Sequence, residues 1–376
     1  MSHWGNRERA SDLLGLRNAV VVTTFRLYVQ TSEDGPVAHA QQAPAERHED
    51  LPEIPVFDVG SAFATETAHL AGRERAYAML DAATAGVPMF GLRLADAISR
   101  RWLSAQQSPY LPELDQLASL STRPGAYFLN VHYEWGCTTA AKPGMEGTSA
   151  RLLRALDWSV NGLGRHIVAA RIASAFGPWV SLTWPGFTGV LQAMAPGRFA
   201  AAINQPTMRK RAGIRAIDWL LSKRDVWRSH HVQPIHLLRR VFEEAPDFAA
   251  ARRLLEATPI CTPAIYTLAG VRASEACIIE RRETAARVLL KSACTANEWQ
   301  TLEWYPGHHS AFENARRLAA MQIAPGSLDL TWLHWPILNN ETRLALAADA
   351  AQGYLIAQGY EAKGPATRPL ELILSR

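Results

Sequence analysis

The feature that most constrains this chain is the spacing of its apolar runs beyond residue 160. Ile167 to Ile172, Trp179 to Trp184, Val190 to Met194 and Phe199 to Ile203 are short, and Gly-Pro or Pro-Gly turns separate them. Runs of this length between such breakers read as buried strands. Ile217 to Leu221, Pro234 to Glu244 and Phe248 to Ala257 then carry helical spacing. Strand-like runs return at Ala264 to Gly270, Ala276 to Arg281 and Ala286 to Leu290. A helix over Ser310 to Met321 follows, and Leu344 to Ala348 with Tyr354 to Gln358 form a closing hairpin. Strands in blocks and helices in blocks, without strict βαβ alternation, predict a layered α+β architecture.

The first third has a different texture. Thr65 to Ala83, Leu92 to Gln106 and Leu111 to Leu120 are helix candidates, Val20 to Val29 a possible strand, and Ser32 to Pro55 a Pro-, Gln- and Glu-rich loop. Residues 1–136 hold 11 Arg and no Lys against 16 Asp and Glu, whereas the remaining 240 hold 28 basic against 19 acidic residues. The two parts therefore attract each other. No Lys/Arg-rich run interleaves with aromatics, which argues against a nucleic-acid partner. No stretch approaches the roughly 20 apolar residues of a transmembrane helix. Met1 to Arg17 lacks the apolar core of a secretory signal, so the expected location is the cytoplasm.

Several chemistries are excluded by pattern. The chain has no GxSxG elbow, no HExxH helix and no P-loop. Asn161-Gly162-Leu163-Gly164 lacks the third glycine of a dinucleotide loop and reads as a turn. His230-His231 and His308-His309 are adjacent pairs, whose side chains diverge, so they read as surface histidines rather than metal ligands. The four cysteines, Cys137, Cys261, Cys277 and Cys294, are too widely spaced for metal pairs or a disulfide scaffold.

One constellation carries chemistry. Cys137 is followed by Arg154-Ala155-Leu156-Asp157, then by Asn204 and Asn297. A thiolate is the nucleophile and a nearby Arg favours it. An α-amino group, with pKa near 8, serves as base when the nucleophile is itself the first residue of a chain. A carboxylate such as Asp157 orients that amine, and two Asn amides can donate to a tetrahedral oxyanion. Arg154 and Asp157, three apart, face opposite sides of a strand, so converging on one site requires a bulge or a strand end.

The run Asn130-Val131-His132-Tyr133-Glu134-Trp135-Gly136-Cys137-Thr138-Thr139 resembles the cleavage site of the acid ceramidase and N-acylethanolamine-hydrolysing acid amidase family, with Arg154 to Asp157 matching its Arg-x-x-Asp. Pro185 to Leu191, Pro196 to Phe199, Asn204, Pro263 to Gly270, Ser274 to Ile279, Arg316 and Pro336 to Asn339 are similar to further family segments. Thr295-Ala296-Asn297 resembles the family's Thr-Asn pair with one residue inserted, and Gln205 stands where the family has Glu. The resemblance covers about Leu111 to Glu361.

It implies an α+β, N-terminal-nucleophile hydrolase fold: an αββα sandwich with Cys137 opening a core strand, no metal and no organic cofactor. Self-cleavage between Gly136 and Cys137 would leave a mainly helical segment, 1–136, associated with a catalytic domain, 137–376. The implied reaction is hydrolysis of a small-molecule linear amide, such as a fatty N-acyl amide, through a thioester. The implied roles are Cys137 as nucleophile and base, Asp157 holding the amine, Arg154 supporting the thiolate, and Asn204 and Asn297 serving the oxyanion. Arg316 supplies a further charge. Trp135, Trp158, Trp179 and Trp184 are candidates for an acyl pocket or for ordinary core. An acyltransferase, a penicillin- or bile-salt-type acylase and an inactive binding relative stay open as alternatives.

Overall fold

Most of the paired strands are buried at every position, so each sheet is covered on both faces, and the fold follows from covering them. The computed structural model describes residues 51–131, 135–290, 293–301, 304–305, 307–308 and 314–375. The expected strand at Val20 to Val29, most of the Ser32 to Pro55 loop and the Tyr133-Glu134 lead-in lie outside the described residues. The chain opens with β1 (Val56–Val59), α1 (Phe63–Leu70), α2 (Gly72–Ala83), α3 (Met89–Ala105), α4 (Leu111–Leu120) and the single turn α5 (Ala126–Leu129). There follow β2 (Gly136–Pro143), β3 (Ala150–Asp157), β4 (Val168–Ile172), β5 (Trp179–Thr183), β6 (Gln192–Ala195) and β7 (Phe199–Asn204). Then come α6 (Arg215–Arg228), α7 (Pro234–Glu244), α8 (Phe248–Ala257), β8 (Ala264–Gly270), β9 (Ala276–Arg281), β10 (Ala286–Leu290) and β11 (Ala293–Thr295). The chain closes with α9 (Asn314–Ile323), β12 (Thr342–Asp349), β13 (Tyr354–Glu361), β14 (Gly364–Pro365) and β15 (Leu370–Ile373).

One sheet runs β1-β4-β5-β6-β7-β8-β9-β10 and the other β11-β2-β3-β12-β13-β14, with β15 also paired to β13. All pairings are antiparallel except β1 with β4. The inner faces share one core, in which Leu152 and Leu156 of β3 lie in the same buried cluster as Ala202 of β7 and Ala269 of β8. Helices α7 and α8 cover the outer face of the first sheet, and α9 lies against β2 and β11 on the outer face of the second. The result is the expected α+β sandwich of helix, sheet, sheet and helix layers.

Before Cys137 the described residues are mainly helical, and β1, a strand the sequence does not mark, adds a parallel edge to the first sheet through Val56 opposite Ala169. The long helix expected over Thr65 to Ala83 is broken at Gly72, whose φ of 80° continues no right-handed helix. Among the described residues no helix is long and apolar enough to cross a membrane.

Candidate active site

Cys137 sits second in β2, with Leu156 of β3 across the ladder. Odd-numbered residues of β2 point between the sheets: Cys137 and Ala141 belong to the shared core, and Thr139 Oγ1 bonds Thr267 Oγ1 of the opposite sheet at 2.8 Å. The thiol is fully buried. On β3 the inward residues are even-numbered, so Arg154 enters the same layer between Leu152 and Leu156. Its Nη2 donates to Cys137 Sγ at 3.0 Å, and its Nη1 donates to the Ile203 carbonyl at 2.9 Å and to Asn204 Oδ1 at 3.1 Å. Burial pushes the Cys137 thiol up to about 11; the Arg154 guanidinium opposes that shift and the Asp157 carboxylate adds to it. Burial also lowers the Arg154 guanidinium, which its thiol and carboxylate neighbours partly offset.

Asp157 does not converge with Arg154. As the last residue of β3 it turns to the outer face, towards α9, opposite Gly136. A register shift in β12 falls beside it, between Thr342 and Leu344. Its Oδ2 accepts from Arg317 Nη1 at 2.5 Å and its Oδ1 from Thr342 Oγ1 at 2.8 Å. Arg317 Nη2 donates in turn to Asn297 Oδ1 at 3.0 Å and Asn314 Oδ1 at 2.6 Å. Asn297 Oδ1 also accepts the backbone N–H of Cys137 at 2.8 Å. In this continuous chain, therefore, Asn297 takes the Cys137 N–H, and Asp157 is tied to Asn297 through Arg317.

Arg316, the charge expected at the site, is a correction by one residue. Successive helix residues point about 100° apart. Arg317 of α9 is buried against Asp157, whereas Arg316 is exposed with its guanidinium 5.9 Å from the Trp335 ring. The two asparagines also differ from their expected state, because neither amide is aimed into open space. Asn204 Nδ2 donates to the Ala296 carbonyl at 2.9 Å and to the Cys137 carbonyl at 3.5 Å, and Asn297 Nδ2 donates to the Gln205 carbonyl at 2.6 Å. The inserted Ala296 does not turn Asn297 away, since Asn297 lies beyond the end of β11, outside strand alternation. The sequence marks neither Asn314 nor Arg317, and it marks Gln205 only as a departure from the family's Glu. Gln205 Oε1 accepts the Trp135 N–H at 3.2 Å, just before Gly136 and Cys137.

A cavity of about 1170 Å³ opens beside this cluster, bounded by Trp135, Gly136, Trp158, Trp184, Phe187 and Asn297 on one side and by α2, α3 and α6 on others. The Trp135 and Trp158 rings lie 5.8 Å apart, and those of Trp158 and Trp184 5.7 Å apart. Trp179 is not part of this wall; it is fully buried, stacked 5.2 Å from Phe242 and edge-on to Phe63 at 5.9 Å. Cys261, Cys277 and Cys294 are buried, Cys261 in the wall of the same cavity, and burial raises each thiol. His230 and His231 are exposed, but His308 is no surface histidine: its Nε2 meets buried Asp218 Oδ2 at 2.8 Å. Among the described residues no group of three His, Cys, Asp or Glu is placed to hold a metal ion.

No protein-family model matches the chain. Two curated relatives are acid ceramidases: that of Homo sapiens is 30% identical over 100 residues, and that of Heterocephalus glaber 27% identical over 100 residues. Each match covers 26% of this chain and 24% of the relative, so the chain spans about a quarter of the length of the curated relatives it matches. Among solved structures, the Caenorhabditis elegans N-acylethanolamine-hydrolyzing acid amidase ortholog is 17% identical, with a TM-score of 0.45 over 64% of this chain and 100% of that one.

Proposed function

We propose that this relative of the acid ceramidases is a cysteine amidase that frees its own nucleophile by cutting between Gly136 and Cys137. One observation carries the reading: a fully buried thiol, second in its strand, has a guanidinium on Sγ at 3.0 Å and an amide oxygen on its backbone nitrogen at 2.8 Å. Both ends of Cys137 are thus held, which is what a residue acting through its thiol and its amine requires.

In the first step Cys137 Sγ attacks the Gly136 carbonyl carbon. The peptide C–N bond breaks, the thiol proton passes to the departing Cys137 nitrogen, and a Gly136 thioester forms. Water then cleaves the thioester, leaving a Gly136 carboxylate and a Cys137 with free thiol and free amine. That amine, with an ordinary pKa near 8, is a base within reach of the thiol. In turnover the thiol attacks a substrate amide carbon, the amine of Cys137 relays the proton to the leaving nitrogen, and water releases the acid. Trp135, Trp158 and Trp184 supply an apolar wall beside Gly136 for the acyl chain. The substrate class is a small N-acyl amide. Residues 1–136 and 137–376 stay associated through buried contacts such as Arg239 to Glu113 at 2.6 Å.

Intact mass of purified protein, with and without a thiol-directed covalent amide probe, tests this. The expected result is two fragments, 1–136 and 137–376, with the probe on the larger. Active protein that is a single uncut polypeptide would overturn the reading.

A further inference from the structure

The chain that leads to Gly136 leaves a helix too short to stand alone. Helix α5 is a single turn, and one turn fixes several backbone angles in return for very few hydrogen bonds. Both of its ends are held from outside. Asp96 of α3 caps the start: its Oδ2 accepts the Gly125 N–H at 2.6 Å, and its Oδ1 accepts the Tyr127 and Phe128 N–H groups at 3.0 and 2.8 Å. Asn130 holds the other end, six residues before Gly136.

Asn130 is buried, and its side chain is tied to the turn before β6. Nδ2 donates to the Ala126 carbonyl at 2.8 Å and to the Gly186 carbonyl at 3.0 Å. Oδ1 accepts from Thr188 N at 2.7 Å and from Thr188 Oγ1 at 2.9 Å. These partners settle which way the amide points, since a carbonyl only accepts and a backbone N–H only donates. Helix α7 fixes Thr188 in turn. The Oγ1 proton goes to Asn130, so the contact of Oγ1 with His236 Nε2 at 2.9 Å uses an N–H of the ring, and Arg239 Nη1 donates to the Thr188 carbonyl at 3.0 Å. Burial and Arg239 push His236 down to about 3, so the ring stays neutral at pH 7 and this link does not titrate there. The sandwich thus grips the chain at Asn130, and again at Trp135 and Cys137, whose N–H groups meet Gln205 and Asn297.

We propose that Asn130 is a positioning residue for self-cleavage: held by Thr188, it fixes where the run to Gly136 begins and so keeps the Gly136 carbonyl within reach of Cys137 Sγ. The proposal rests on the self-cleaving reading above and assigns Asn130 to the cutting step alone. Cutting needs the chain held on both sides of the scissile bond, and a misplacement of about 1 Å costs about 100-fold in rate. Once the bond is cut, Cys137 no longer depends on that run. All four hydrogen-bonding positions of the Asn130 amide are taken, so it has none to offer a substrate.

The test follows newly made full-length chains in cell-free translation, with cut and uncut forms counted on denaturing gels. Asn130→Ala should cut about 100-fold more slowly than wild type. In the molecules that have been cut, Cys137 should still react with iodoacetamide at a rate within about threefold of wild type. Thr188→Val, a milder change, should slow cutting by about tenfold, and Thr188→Ser, which keeps the hydroxyl, should cut normally. Glu113→Gln also weakens the hold between the two parts, but 23 residues before Gly136, and should cut at the wild-type rate. A merely structural role would slow Glu113→Gln and Asn130→Ala alike and impair the cut thiol as well. Either that pattern, or normal cutting by folded Asn130→Ala, overturns the proposal.

Hydrogen exchange in the uncut Cys137→Ala chain separates this failure from that of the reading beneath it. Adding Asn130→Ala should quicken exchange of the Trp135 N–H by about tenfold. Faster exchange beside a wild type that never cuts keeps the anchor and sinks self-cleavage. Unchanged exchange sinks the anchor, whether or not the wild type cuts.

Discussion

Replacing Arg154 by Met removes the guanidinium in contact with the Cys137 thiol while keeping a side chain of similar length in the inner layer. At the observed 3.0 Å a unit charge pair is worth about 5.5 kcal/mol at an effective dielectric of about 20, equal to about four pKa units. Even with Arg154 present, burial holds the thiol at about 11, so at pH 7 only about one molecule in ten thousand is thiolate. Without Arg154 that fraction falls further, by tenfold for each unit the pKa climbs. Self-cleavage and turnover should each drop by at least about 100-fold. The melting temperature should move much less. A buried charge is lost, and its desolvation cost with it, while the Ile203 carbonyl loses Nη1 and Asn204 Oδ1 keeps Thr139 Oγ1 at 3.2 Å. The assay is alkylation of Cys137 by iodoacetamide from pH 7 to pH 10, beside gel quantification of cut and uncut chain. In the uncut wild type the rate should climb about tenfold per pH unit, since the titration midpoint lies above this window. In Arg154→Met the whole profile should lie lower at every pH. Wild-type self-cleavage and an unchanged alkylation profile in Arg154→Met would refute the assignment of Arg154 to the thiol.

Cys137→Ala should remain a single chain on denaturing gels, and Cys137→Ser should cut and turn over far more slowly, because a hydroxyl is much less acidic; Ala at Cys261, Cys277 or Cys294 should instead lower the melting temperature with turnover retained. Arg317→Met, which unties Asp157 from Asn297 and Asn314, should slow self-cleavage by about 100-fold or more, whereas Arg316→Ala, on the exposed side of α9, should change the rate by less than about twofold; equal effects of the two would return the role to Arg316. Glu113→Gln takes one of two carboxylates from the buried Arg239 guanidinium and leaves Glu243 at 2.8 Å, so it should cost about 1.5–3 kcal/mol and, after self-cleavage, release the 1–136 fragment at lower denaturant than wild type on size-exclusion chromatography.

The elements that could be read from sequence are those bounded by strong punctuation. Leu111–Leu120, Pro234–Glu244, Phe248–Ala257, Ala264–Gly270, Ala276–Arg281 and Ala286–Leu290 begin and end where the apolar runs do. Helix α6 runs to Arg228, well past Leu221, because Ser222-Lys223-Arg224-Asp225 carries no apolar periodicity; Val226 and Trp227 resume contact with the helices before Cys137. Strands β1, β11 and β15 were invisible for another reason. Each is three or four residues long and takes its place from a partner strand rather than from its own composition. The site followed the same division. Cys137, Arg154, Asp157, Asn204 and Asn297 are brought together in the structure, but Arg316 and Arg317 are adjacent basic residues whose sequence cannot show which faces the sheet. The hydrogen-bond direction of each asparagine depends on the Gln205 and Ala296 carbonyls, which no side-chain pattern encodes.

The three-residue spacing of Arg154 and Asp157 first reads as an obstacle, since it places them on opposite faces of β3. For a nucleophile that acts through both its side chain and its own nitrogen, that parity is what the geometry needs. Cys137 sends its thiol between the sheets, where an even-numbered residue of β3 can meet it, and Arg154 does so. Its nitrogen lies at the open end of β2, where Asn297 meets it. There the odd-numbered Asp157, on the face next to α9, is joined to Asn297 by one guanidinium. A spacing of two or four would put both charges on one face of β3, leaving either the thiol without its cation or the nitrogen side without its carboxylate. The Arg-x-x-Asp spacing thus distributes one cation and one anion to the two ends of a single residue, its thiol and its backbone nitrogen. The bulge expected to bring Arg154 and Asp157 together falls instead in β12, where Thr342 caps the outward carboxylate.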